Sequence, residues 1–91
     1  MAKFDKIAVL NKIGSTGMVP VFYHKDAEVA KKVVKACYDG GVRAFEFTNR
    51  GDFAQEVFTE IAKFAAKECP EMAIGIGSIV DPATAAMYLQ L

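Results

Sequence analysis

Glu46, Thr48 and Arg50 stand at alternate positions in the stretch Val42-Arg43-Ala44-Phe45-Glu46-Phe47-Thr48-Asn49-Arg50-Gly51. They are the residues of this chain best suited to chemistry. A carboxylate can take and return protons. A guanidinium holds a planar carboxylate through two parallel hydrogen bonds, and a hydroxyl can donate or accept. Glu46 interrupts an apolar strand-like run, where an unpaired charge is expensive, so its presence asks for a use. One alternative is a structural ion pair with Arg43 or Arg50. Period-2 geometry sets Arg43 on the opposite face from Glu46, which disfavours that pair. For Arg50 the alternative is a solvated loop arginine.

The remaining chemistry-bearing residues point to less. Gly75-Ile76-Gly77-Ser78 is not a dinucleotide fingerprint, because Val80 stands where the third glycine belongs, nor a P-loop, because no Gly-Lys-Ser/Thr follows. Its glycines suit close packing. His24, the only histidine, reads as a loop residue. Cys37 and Cys69 lack metal-ligand spacing and read as reduced, buried thiols rather than a disulfide. No His/Cys/carboxylate cluster suggests a metal, and no cofactor is implied.

Bulk properties narrow the classes. The 91 residues carry 11 Lys+Arg and 11 Asp+Glu, so there is no basic excess to favour nucleic acid. No apolar run approaches the roughly 18 to 20 residues of a membrane span, and residues 1–6 lack the core of a secretory signal. A cytoplasmic location is expected. Hydrophobic content of 53% is high for a single small domain spanning 1–91. Part of its surface is therefore expected to be covered by something else.

The elements that must position Glu46 follow from periodicity. A helix is expected over 3–14, with Phe4, Ile7, Ala8 and Asn11 on one side, ended by Gly14-Ser15-Thr16-Gly17. Met18–Tyr23 reads as a strand that Pro20 places at an edge. Asp26 caps a helix running to Asp39, and Gly40 sits at its C-terminal cap. The second strand then carries Val42, Ala44, Glu46 and Thr48 on one face and Phe45 and Phe47 on the other. Asp52, with Gln55 three residues on, is expected to open a helix. Its stripe is Ala54, Val57, Phe58, Ile61, Ala62 and Ala65, and Cys69-Pro70 stops it. Residues 73–80 form a third strand, and Asp81-Pro82 starts a last helix. A helix followed by three strand–helix units predicts an α/β fold with parallel strands and right-handed crossovers. The Glu46 and Arg50 positions then fall at the C-terminal strand ends, where such folds do chemistry.

At this level the chain resembles the 2-keto-3-deoxy-6-phosphogluconate / 2-keto-4-hydroxyglutarate (KDPG/KHG) aldolases. The likeness rests on Val19-Pro20-Val21, on Gly40-Gly41-Val42 followed by Glu46, Thr48 and Arg50, and on Gly75-Ile76-Gly77-Ser78-Ile79 before Asp81-Pro82. The resemblance implies the N-terminal helix and first three βα units of a TIM (β/α)8 barrel. It implies a Schiff-base aldolase that releases pyruvate and an aldehyde, with Glu46 as general acid/base. Arg50, Thr48 and Ser78 would bind the keto acid substrate, and a homo-oligomer, a trimer in the family, is expected. Two departures stand out. Gly17-Met18 occupies the place where many members carry an arginine, and the Schiff-base lysine belongs to a later strand than this chain reaches, so the chain alone is expected to be inactive. Lys25 is the one lysine near the right rim. A different class of function is a small non-catalytic α/β binding or assembly module. A phosphate-binding half-barrel ranks last, because Asp81 would repel an anion at the helix it opens.

Overall fold

The computed structural model describes residues 2–91. In order it contains α1 (Lys6–Thr16), β1 (Val21–Phe22), α2 (Ala27–Asp39), β2 (Ala44–Thr48), α3 (Ala54–Glu68), β3 (Ala73–Gly77) and α4 (Pro82–Leu89). The strands form one parallel sheet in the order β1-β2-β3. The register sets Val21, Glu46 and Gly75 level across it. An α/β chain of one helix plus three βα units, its strands neighbouring in sequence order, is the arrangement of consecutive units in a (β/α)8 barrel.

The core lies on the face of β2 that carries the aromatic residues. Phe45 and Phe47 are 1% and 0% exposed. They pack under Ala30 and Val34 of α2 and Ala54, Phe58 and Ile61 of α3, and the two helices also touch each other. Full burial of one such aromatic side chain stabilises by about 1.5–3 kcal/mol, so this layer holds the sheet to its helices.

Several boundaries depart from the sequence expectations. The first helix starts at Lys6, because the Asp5 carboxylate accepts from the Ala8 N–H at 2.8 Å. It continues through Gly14 and ends at Gly17, whose φ of 68° allows its N–H to reach Ile13 O. This phase turns Val9 and Ile13 inward and leaves Ile7 64% exposed, contrary to the expected face. Gly40 is the C-cap of α2 as expected, and the left-handed residue is the glycine after it, Gly41 (φ 103°). Val42 N–H reaches Cys37 O and Gly41 N–H reaches Tyr38 O, the pairing of a Schellman motif. Val42 is thereby taken out of β2.

Asp52 does not cap α3. Phe53 precedes the helix in the left-handed region (φ 60°) with no side-chain cap. β3 stops at Gly77 rather than Val80, because Ser78 turns to φ 60°. Asp26 and Asp81 do cap α2 and α4 as read from the sequence.

Candidate active site

Glu46 sits mid-strand in β2, on the face opposite the aromatic core. It is only half-buried between Ala44 and Thr48, both buried. Its side chain lies across β3: a Cβ built at Gly77 would fall within the volume of the Glu46 carboxylate. Gly77 is therefore the absence of a side chain that lets the carboxylate reach over the sheet toward its C-terminal end. Among the described residues, no cation forms an ion pair with Glu46. Arg43 is engaged elsewhere. It donates to Tyr38 O at 2.9 Å and Val42 O at 2.8 Å, stacks on the Tyr38 ring, and faces Glu71 at 3.6 Å. The carboxylate remains free for a ligand, which is what proton transfer requires.

The other expected residues gather at the same rim in different states. Arg50 lies exposed just past β2, with its backbone N–H on Thr48 O at 3.0 Å. Ser78 is exposed at the end of β3, held in the left-handed region, where a non-glycine residue is strained and such strain clusters at functional sites. Thr48 is 4% exposed and donates its one hydroxyl proton to Phe22 O at 3.1 Å. That bond ties β2 to β1. Thr48 would offer a ligand a donor only by turning its proton away from Phe22.

Two residues that sequence reading passed over shape this rim. Asn49 N–H donates to Gly77 O at 2.9 Å, and Asn49 Oδ1 accepts from the Tyr88 hydroxyl at 2.8 Å. The segment leading to Arg50 is thus fastened to both β3 and α4. Burial pushes the Tyr88 phenol above its ordinary range, so the hydroxyl keeps its proton and stays a donor. Tyr23, directly after β1, packs its ring on Phe47 and lays its hydroxyl where any side chain at Gly51 would be. A polar residue immediately after each strand was the available signal for both.

His24 behaves as a loop residue: its Nδ1 accepts from Asp26 N–H at 2.9 Å. Cys37 and Cys69 are free thiols, and burial raises Cys69 above the ordinary thiol range. The N-terminus of α4 is occupied by its own Asp81, which accepts from the Thr84 N–H and hydroxyl; these bonds hold its carboxyl below the ordinary value. An anion has no opening there. None of the three strands contains a lysine. Among the described residues no group of three or more His, Cys, Asp or Glu could hold a metal ion, and no helix is long and apolar enough to cross a membrane.

The family model described as KDPG and KHG aldolase matches residues 9–89. The chain belongs to this aldolase family. Relatives named KHG/KDPG aldolase from Escherichia coli K12, Escherichia coli O157:H7 and Shigella flexneri are each 38% identical to it over 65 residues. That alignment covers 71% of this chain and 29% of each relative. Within the KDPG/KHG aldolase family, the match runs from α1 through α4 and so includes the whole Glu46 rim.

Proposed function

We propose that this chain carries the proton-transfer and carboxylate-binding part of a Schiff-base aldolase. The substrate would be a 2-keto-3-deoxy-6-phospho-sugar acid or 4-hydroxy-2-oxoglutarate, cleaved to pyruvate and an aldehyde. A lysine outside these 91 residues would condense with the keto group, losing water. The protonated imine then draws electrons as the C–C bond breaks. Glu46 removes the substrate hydroxyl proton in that step and later returns a proton to the enamine carbon, after which water hydrolyses the imine, releasing pyruvate and the free lysine. Arg50 and Ser78 hold the carboxylate end, and Thr48 contributes if its proton turns from Phe22. Without that lysine the chain alone would not turn over. The location would be cytoplasmic and the complete assembly a homo-oligomer.

The observation that carries this reading is the unpaired Glu46 carboxylate laid over Gly77 on the face away from the core. The test is borohydride trapping with pyruvate, read by intact mass, on this chain and on any longer product of its gene. An adduct only on the longer product supports the proposal. An adduct on this chain assigns the lysine locally, Lys25 first. No adduct on either would favour the non-catalytic module.

A further inference from the structure

Asn49, Arg50 and Gly51 carry the chain from the end of β2 toward α3, and their backbone is held at every step. Asn49 N–H donates to Gly77 O at 2.9 Å, Arg50 N–H donates to Thr48 O at 3.0 Å, and Gly51 O accepts from Ala54 N–H at 3.2 Å. The Tyr23 hydroxyl lies over Gly51, where any side chain would be. The Arg50 side chain is the opposite case. It is exposed, and among the described residues its guanidinium makes no ion pair. A free head on a fixed stem is the arrangement that suits an arginine awaiting an anionic ligand, because less freedom is lost when the ligand arrives.

One tie to this segment is not explained by packing. Tyr88 is the buried residue of α4, 3% exposed, and its ring meets Phe58 edge to face with 5.2 Å between centroids. A phenylalanine would make that contact equally well. The hydroxyl adds a polar group to a buried position, at a cost that only a partner offsets. Its partner is Asn49 Oδ1 at 2.8 Å, 39 positions earlier in the chain and directly before Arg50. A buried phenol proton needs an acceptor, so the Asn49 amide must keep its oxygen toward Tyr88 and cannot turn over. Asn49 is thus held through its backbone by β3 and through its side chain by α4, two supports on different elements.

We propose that Asn49 and Tyr88 are positioning residues for Arg50: through their hydrogen bond, α4 sets the place from which the guanidinium meets a substrate carboxylate. The role rests on the aldolase reading of Arg50. Neither residue is assigned contact with the reacting atoms. Arg50 grips a carboxylate that is present before and during bond cleavage alike, so the effect of misplacing it falls on binding and not on the chemical step.

The test is Tyr88→Phe in whichever form of the protein traps pyruvate with borohydride. The ring stays on Phe58 and only the hydroxyl goes. KM for the keto acid should rise about two- to tenfold, the worth of one hydrogen bond, with kcat unchanged. Arg50→Ala should raise KM further, and adding Tyr88→Phe to it should change nothing more, since no guanidinium is left to place. A purely structural bond would leave KM alone, or would act equally with and without Arg50. Circular dichroism checks folding. If Tyr88→Phe unfolds, Asn49→Leu combined with Tyr88→Phe removes both partners together, which a fold tolerates better than one orphan, and carries the same expectation. A wild-type KM in the folded variant, a fall in kcat instead, or an undiminished effect in the Arg50→Ala background would each overturn the proposal and leave the aldolase reading standing. If no form of the protein traps pyruvate, both fall together.

Discussion

Replacing Gly77 with alanine should separate activity from stability. The new Cβ claims the volume now held by the Glu46 carboxylate. What it meets is the far end of a flexible side chain, not backbone, so Glu46 swings aside. Leaving a good rotamer costs about 0.5–1.5 kcal/mol. Gly77 does not have a positive φ, so alanine fits its backbone and restricts the unfolded chain, which returns about 0.4–1 kcal/mol. The two effects nearly cancel. Melting of the 91-residue chain should shift by no more than about 4–8 °C, the equivalent of ~1 kcal/mol in a domain of this size. The carboxylate, however, must move on the order of an ångström, and a displacement of that size costs about 10²-fold in rate. The assay is aldol cleavage by whichever form of the protein traps pyruvate, beside thermal denaturation of the same variant. Unchanged turnover would refute the reasoning, since the position of Glu46 over Gly77 would not be its working one. A much larger melting loss would show instead that Gly77 serves packing.

Glu46→Gln keeps the shape and removes the base, so turnover should fall by about 10²–10⁴ while the affinity for pyruvate, measured by calorimetry, changes little; wild-type turnover in this variant would remove the role given to Glu46. Phe47→Ala empties a site that is 0% exposed between the rings of Tyr23 and Phe58. A loss of about 3–5 kcal/mol is expected in urea unfolding, and a loss below ~1 kcal/mol would mean that the aromatic layer is not the core. Asp81 gives an acid dependence. Its folded value is lowered by the Thr84 bonds from the ordinary 3.8, so its stabilisation is complete above 3.8 and disappears as pH falls through the folded value. Asp81→Ala should flatten that acid limb of the α4 unfolding curve, and an identical limb in both proteins would place the effect elsewhere.

The large features of this chain were legible because single residues decide them. Glu46 in an apolar strand, the Phe45/Phe47 alternation, the stripe from Ala54 to Ala65, and the Asp26 and Asp81 caps each require only local geometry, and the structure has them where sequence places them. The misses come from tertiary contacts. Asp52 carries every sign of a cap, yet the Tyr23 hydroxyl over Gly51 shapes the turn, and Ala54 N–H takes Gly51 O instead. The two glycines of β3 look equivalent in sequence. Only the reach of Glu46 makes Gly77 crowded and leaves Gly75 open. Likewise nothing in a Thr at position 48 announces that its proton already belongs to Phe22.

Strand order along the sheet repeats strand order along the chain. On a ribosome delivering about 5–20 residues per second, this geometry lets the sheet lengthen at one side only. β1, α2 and β2 can settle before β3 has emerged, and no later strand has to wedge between two that are already joined. The loop-closure cost of each addition is that of one helix and its turns. The same directionality means that each stage of synthesis presents a fresh strand border to the cell. The newest strand is at once the most recently folded part of the molecule and the part most in need of its next neighbour.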